Sequence, residues 1–374
     1  MKRLACILFS ICIATVAIKA AAIGTSAKAA ILINGDTGEV IYEQNADTRL
    51  PMASTTKIMT ALMLCEYGRF DREITVTAEM LRVEGSSMGL LPGDRVDLRD
   101  LLYGMLLASG NDAANVTAYV LGGNIDKFVR MMNQRAQELG LVNTHFETPS
   151  GLDGDEHYTT ARDLARLAMF AMKNEEFRTA ASSKTATLEY GNPPYRRTLS
   201  NHNKLLKIFD GAVGVKTGFT KKSGRCLVSA AQRDGKFVIA VTLNDPNDWE
   251  DHKALLNYGL DKIQSAEITP SKTEFELPVI SSADQTVKVS IKPKTVHSVD
   301  VSGFSYVVNL PKFLYAPVKK GEVIGSVVYY KDGKEIDRRD LTSDRDIPVA
   351  AKKPGFLKKA AENFRRIFMD IWES

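Results

Sequence analysis

Three small groups of residues have the types and spacing that covalent catalysis needs. Ser54 and Lys57 stand three apart in "LPMASTTKIMTALMLCEYG", which makes them neighbours on one face of a helix's first turn. Pro51 marks the entry of that helix. Ile58, Met59, Leu62, Met63 and Leu64 surround its axis, so the helix is expected to be buried along its length. A lysine held there is partly desolvated and its pKa falls, so that it can take a proton from the serine hydroxyl near neutral pH. The pair reads as an activated nucleophile. Farther on, "LLASGND" sets Ser109, Gly110 and Asn111 at the junction of two predicted helices, and "GVKTGFT" sets Lys216, Thr217 and Gly218 on a predicted strand.

Each group alone has an ordinary explanation. S-x-x-K arises about once by chance at average composition in a chain this long, with the serine as a helix cap and the lysine in solvent. Ser-Gly-Asn is also a cap and turn, and Lys-Thr-Gly a strand end. Their order, and the element each falls on, make the set specific.

The elements that must position them follow from the apolar pattern. "AILINGDTGEVIY" reads as two short strands around an Asp-Thr-Gly turn. Helical patterns then run to about residue 180, through "DLRDLLYGMLLAS", "DAANVTAYVLG", "IDKFVRMMNQRAQELG" and "TARDLARLAMFAMK". Strands return with "AVGVKTGF", "RCLVSAAQRD" and "KFVIAVTLND", and the helix "DWEDHKALLNYGLDKI" follows. Strands at both ends with helices between them imply one α+β domain, residues 30–265, whose terminal strands share an antiparallel sheet. From 266 to 350 the alternating runs "FELPVI", "QTVKVSI", "SYVVNL" and "EVIGSVVYY" imply a small all-β domain. It shows no cluster of catalytic residue types and reads as a spacer or interaction module.

The two ends carry their own signals. Lys2 and Arg3 precede an apolar run from Leu4 to Ile18 and then small residues, an export signal with cleavage after Ala22, or alternatively after Ala29. A run of fifteen residues is shorter than the roughly 20 a bilayer span needs. In the last segment, 351–374, Phe356, Leu357, Ala360, Ala361, Phe364, Ile367, Phe368, Ile371 and Trp372 recur at helical spacing, with Lys358, Lys359, Arg365 and Arg366 on the other side. Such a helix is too polar to span but can lie in an anionic membrane surface. The whole chain, 374 residues at 44% hydrophobic and net charge +4, is globular in composition and too weakly basic to suggest a nucleic-acid partner. Cys65 and Cys226 sit in apolar runs and are expected to be buried free thiols.

The three-part set resembles that of the penicillin-binding protein and serine β-lactamase superfamily. "ILINGDTGEVIYEQNADTRLPMASTTKIMTA", "ASGNDAANVTA", "LGLVNTHFETPSGLDGDEHYTTARDLARLA" and "GVKTGFT" are similar to the low-molecular-weight D-alanyl-D-alanine carboxypeptidases, peptidase family S11, over most of residues 30–265. The resemblance implies a transpeptidase-like fold, an antiparallel sheet with a helical subdomain, followed by the β-domain and an amphipathic anchor on the extracytoplasmic face of the membrane. It implies a peptidoglycan stem peptide ending in D-Ala-D-Ala as substrate, β-lactams as inhibitors, and no metal or organic cofactor.

By the same resemblance Ser54 attacks the penultimate carbonyl, Lys57 is the base, Ser109 relays a proton to the departing D-alanine, and Asn111 holds Lys57 and the peptide. Lys216 adds a second positive charge that depresses the Lys57 pKa and attracts the substrate carboxylate, to which Thr217 offers a hydroxyl. The backbone N–H groups of Ser54 and Phe219 form an oxyanion hole, and Gly218 admits a substrate strand close to the backbone.

Some members of the family place an arginine after the last strand of this domain, and "NDPNDWEDH" has none. Arg225 is a candidate replacement, with a solvated hairpin arginine as the equal alternative. His157 precedes the capping-box pair Thr160 and Asp163 and is expected to fix a loop. A class A β-lactamase would need a loop glutamate, but Glu138 closes an amphipathic helix pattern, and the second element here is Ser-Gly-Asn where that class has Ser-Asp-Asn. A non-catalytic β-lactam sensor would not need Ser54, Lys57, Ser109 and Lys216 all intact.

Overall fold

A computed structural model describes residues 23–282 and 286–350. The first domain opens with β1 (Ala29–Asn34) and β2 (Val40–Gln44), then a 3₁₀ turn (Ala53–Thr56) running straight into α1 (Lys57–Tyr67). Next come β3 (Glu73–Thr75), β4 (Arg95–Asp97), α2 (Leu98–Leu106), α3 (Asn111–Gly122), α4 (Ile125–Glu138), α5 (Ala161–Lys173) and α6 (Glu175–Ser182). The hairpin β5 (Thr185–Gly191) and β6 (Pro194–Ser200), the short α7 (Leu205–Ile208), strands β7 (Ala212–Thr220), β8 (Gly224–Arg233) and β9 (Lys236–Leu243), and α8 (Asp248–Lys262) complete it.

The main sheet has the order β2-β1-β9-β8-β7, antiparallel throughout, so the first and last strands of the domain do share one sheet. Side chains alternate across it. Ile31, Ile33, Val228, Ile239 and Val241 pack into the larger core with the helices, while Leu32, Leu227, Val238 and Ala240 pack on Leu255, Leu256 and Leu260 of α8. With both faces covered, the strands of the middle carry near-continuous apolar runs. β2 and β7 are the two edge strands.

α1 runs through the larger core, with every residue from Lys57 to Cys65 buried, as the apolar residues around its axis required. α4 and α5 present one buried face each, and Asn124 and Thr160 cap them by accepting from Lys127 N and Asp163 N. A second sheet, β3-β4-β5-β6, has no counterpart in the sequence reading. β3 and β4 have three residues each, and β5 and β6 are mostly exposed, so their apolar alternation is weak.

The second domain is all β: β10 (Gln264–Ile268), β11 (Glu274–Ile280), β12 (Thr286–Ser290), β13 (Lys294–Ser298), β14 (Phe304–Asn309), β15 (Leu314–Tyr315), β16 (Val323–Lys331) and β17 (Lys334–Thr342). Its own core gathers Leu277, Val287, Val289, Val327 and Tyr329. The Glu39 carboxylate, in the β1–β2 turn, accepts from Ser298 Oγ (2.6 Å) and Val299 N (3.0 Å), and Asn34 Nδ2 donates to the His297 carbonyl (2.8 Å). Among the described residues no helix is long and apolar enough to cross a membrane. The export and tail segments expected at the ends lie outside the described residues.

Candidate active site

The nucleophile pair sits where the 3₁₀ turn becomes α1. Ser54 is the second residue of the turn and Lys57 the first of the helix. Lys57 is fully buried, not at a half-wet rim. Its Nζ lies 3.0 Å from Ser54 Oγ, 2.6 Å from Asn111 Oδ1 and 2.6 Å from the Ser150 carbonyl. The Asn111 amide orientation is fixed by its nitrogen, which donates to the Glu84 carbonyl at 2.6 Å. Two of the three partners of Nζ can therefore only accept. A neutral amine has two hydrogens for them and keeps its lone pair toward Ser54. Burial first, then the charge of Lys216, lowers the Lys57 pKa well below the ordinary 10.5, and Asp112 opposes them.

Lys216, in the middle of β7, is also fully buried. Its ammonium donates to the Thr217 carbonyl at 2.8 Å, and burial pushes its pKa down to about 7. Two desolvated amines side by side disfavour a double charge.

Ser54, Ser109, Thr217, Gly218, Phe219 and Arg225 line one cleft of about 350 Å³, beside the free edge of β7. Ser109 sits between α2 and α3 with φ +58, and Ala53, just before the nucleophile, has φ +48. Such backbone costs on the order of 1–3 kcal/mol per residue and persists only where packing over-determines it. Gly151 supplies part of that packing, since a Cβ on it would come within 2.0 Å of the Ala53 carbonyl oxygen.

Gly218 is crowded from within the chain, a contact separate from the substrate approach expected of it. A Cβ there would lie 3.0 Å from Ser54 N, 3.1 Å from Met52 O and 3.1 Å from Thr55 N. The close approach is by the protein's own nucleophile turn, which needs a glycine on β7 to pack flush.

Sequence reasoning missed the anchor of the cleft roof. Asp112, buried at the first turn of α3, accepts from Ser87 Oγ (2.5 Å), Met88 N (3.0 Å), Gly89 N (3.1 Å), Leu90 N (3.1 Å) and Ala113 N (2.9 Å). Asn111 N donates to Ser86 O at 2.7 Å. The same loop receives the Tyr190 hydroxyl at the Met88 carbonyl (2.6 Å) and Arg197 at the Gly89 carbonyl (2.6 Å). The unread hairpin β5–β6 thus buttresses the loop whose Ser86 lines the same cleft as Ser54. Ser86, His202, Lys204, Asp248 and Trp249 also line the cleft, and no spacing in the sequence marks them.

Arg225 lines the cleft, where it is paired with the buried Asp248 carboxylate (2.8 Å) and lies 5.5 Å from the Trp249 ring centre. His157 is buried between Thr56 Oγ1 (2.8 Å) and Glu147 N (2.9 Å), and burial lowers its pKa to about 4. It is a neutral brace for the 147–157 loop, as expected. Glu138 ends α4 in an exposed pair with Arg135. Cys65 and Cys226 are buried free thiols. A larger cavity of about 550 Å³, lined by residues of both domains, contains none of these groups; the chemistry places the site in the smaller cleft.

Residues 15–247 match the family described as D-alanyl-D-alanine carboxypeptidase, and residues 268–349 match the penicillin-binding protein 5 C-terminal domain. The chain belongs to the D-alanyl-D-alanine carboxypeptidase family. It is 30% identical to D-alanyl-D-alanine carboxypeptidase DacF of Bacillus subtilis over 88% of this chain and 87% of that one. Against DacA of Escherichia coli the figures are 31%, 86% and 84%. Among solved structures, the carboxypeptidase DacD of Francisella tularensis covers 87% of this chain and 95% of its own at 28% identity, with a TM-score of 0.62. The enzyme is a serine-type D-Ala-D-Ala carboxypeptidase built as an α+β transpeptidase domain followed by an all-β domain.

Proposed function

We propose that this carboxypeptidase removes the terminal D-alanine from peptidoglycan stem peptides through an acyl-enzyme on Ser54. The observation that carries the reading is a fully buried Lys57 amine, 3.0 Å from Ser54 Oγ and held by two groups that can only accept. Neutral Lys57 takes the Ser54 proton as Oγ bonds to the penultimate carbonyl carbon. Negative charge on the carbonyl oxygen is met by the N–H groups of Ser54 and Phe219. The Ser54 N–H lies in the first turn of a helix, where such donors lack intrahelical partners, and each donor of this kind contributes about 3 kcal/mol. Collapse breaks the C–N bond, and the proton passes through Ser109 to the departing D-alanine. Water then hydrolyses the ester and restores Ser54. One water is consumed, and one D-alanine and one shortened peptide are formed. β-Lactams acylate the same hydroxyl.

Lys216 and Thr217 receive the substrate carboxylate at the free edge of β7, with Arg225 available once its pairing with Asp248 is shared. Gly218 keeps β7 against the nucleophile turn. The residues supply the whole acyl transfer, and neither a metal nor an organic cofactor is invoked.

The remaining assignments rest on sequence pattern. Residues 1–22 are an export signal, 30–265 the peptidase, 266–350 the β-domain, and 351–374 an amphipathic helix that holds the enzyme on the extracytoplasmic face of the cell membrane. The deciding experiment is Lys57→Ala. Labelled penicillin no longer attaches to Ser54 and D-alanine release stops, while the unfolding midpoint holds or rises. Undiminished labelling in that variant removes Lys57 from the role of base.

A further inference from the structure

The β-domain carries a contiguous exposed apolar face. Ile280 on β11 stands directly opposite Tyr315 on β15 in the parallel register, and the Tyr315 ring meets Phe313 edge-on at 5.5 Å. Ile280, Phe313, Tyr315 and Val349 are 43%, 43%, 67% and 54% exposed. Apolar side chains scattered singly need no explanation, but a joined patch does.

Where the chain leads from this face matters most. The Ala350 N–H donates to the Ser281 carbonyl at 2.7 Å, so the backbone passes the edge of the patch just before residues 351–374. Those 24 residues have the basic amphipathic pattern given above. Three lysines near the patch in sequence, Lys312, Lys319 and Lys320, are exposed and have no ion pair among the described residues. Two carboxylates lie among them, Glu322 accepting from Lys319 N and Asp346 from Lys320 N, and these hydrogen bonds hold both acids against the backbone. An aromatic pair of which Tyr315 carries a polar tip, beside lysines without an ion pair, has the chemistry of a bilayer's headgroup boundary.

We propose that the Ile280–Phe313–Tyr315–Val349 face is a second membrane contact. It enters the headgroup region of an anionic bilayer alongside segment 351–374, so that the β-domain is seated on the lipid and not merely tethered to it. The inference rests on the lipid-binding reading of that segment. Two weak contacts in one plane act together, since the first raises the effective concentration of the second.

The test uses residues 23–374 with Tyr315→Cys carrying an environment-sensitive fluorophore; Cys65 and Cys226 are buried and do not compete. On vesicles of phosphatidylglycerol and phosphatidylethanolamine the emission shifts to the blue and is quenched by brominated acyl chains. In unlabelled protein, Phe313→Ser with Tyr315→Ser weakens partitioning about tenfold. Replacing Lys312, Lys319 and Lys320 by Gln weakens it by up to about fivefold each. D-Alanine release from a soluble peptide stays unchanged in all of them, which shows that the fold is intact. If the protein binds the vesicles but the fluorophore does not respond, the second contact is refuted while the tail reading stands. Emission already blue without vesicles and unmoved by them means that the tail covers the face, which also refutes it. Absence of any vesicle binding overturns both readings.

Discussion

Replacing Lys216 by methionine should make this enzyme more stable and nearly inactive. The lysine is fully buried, and its ammonium has one hydrogen-bond partner among the described residues, the Thr217 carbonyl. Burial lowers its pKa from 10.5 to about 7. Below pH 7 the folded state holds a desolvated charge that the unfolded chain carries in water. Between about pH 7 and 10.5 the unfolded chain binds the extra proton, so stability rises with pH through that window. At 1.36 kcal/mol per pH unit the drop corresponds to about 5 kcal/mol, and replacement of buried charge by a well-fitting apolar side chain typically returns about 1–4 kcal/mol of such a penalty. The assay is urea unfolding of both proteins at pH 6 and pH 9, beside D-alanine release. The parent gains stability between the two pH values, whereas Lys216→Met starts higher at pH 6 and gains less. Equal pH slopes in the two proteins would sink the argument that Lys216 is held in the fold against its own solvation.

Three further outcomes follow from the site. Asp112→Ala takes the acceptor from Ser87 Oγ, Met88 N, Leu90 N and Ala113 N, while Gly89 N keeps Ser87 Oγ; at about 1–3 kcal/mol for each one left dry, a loss of at least about 3 kcal/mol is expected in urea unfolding, with kcat/KM reduced roughly 10²-fold as the loop shifts. Gly218→Ala pushes β7 off the nucleophile turn, so penicillin acylation slows by roughly 10²-fold while circular dichroism stays that of the parent; an unchanged rate shows that the 3.0 Å approach to Ser54 N is relieved elsewhere. Arg225→Ala raises KM about tenfold for a peptide with a free C-terminal carboxylate but not for its amide; equal effects on both peptides remove Arg225 from carboxylate recognition.

Sequence and fold divided the labour unevenly. Spacing was enough for the Ser54–Lys57 pair, because three residues on a helix fix a distance whatever surrounds them, and the strand bearing Lys216, Thr217 and Gly218 was legible from alternation. The strands of the main sheet and the helices α1 to α5 and α8 were readable because each buries a face or its whole surface, and burial writes itself into apolar periodicity. The β5–β6 hairpin was not, since it is mostly exposed, and neither were the three-residue strands beside it. Their contribution, a Tyr190 hydroxyl and an Arg197 guanidinium on the roof loop, leaves no periodic trace.

The sequence by itself determined which groups the site has to work with: a serine, two lysines, a second serine and an asparagine, and the order in which the chain delivers them. Only the tertiary structure decided their chemical state. Lys57 loses its charge readily because folding removes its water and brings the Lys216 charge to it, while Asn111 and Ser150, from two further stretches of chain, hold the amine in place beside Ser54. Gly218 is glycine because folding lays the Ser54 turn against it. Desolvation and contact between distant segments are properties of the packed chain, and local spacing does not encode them.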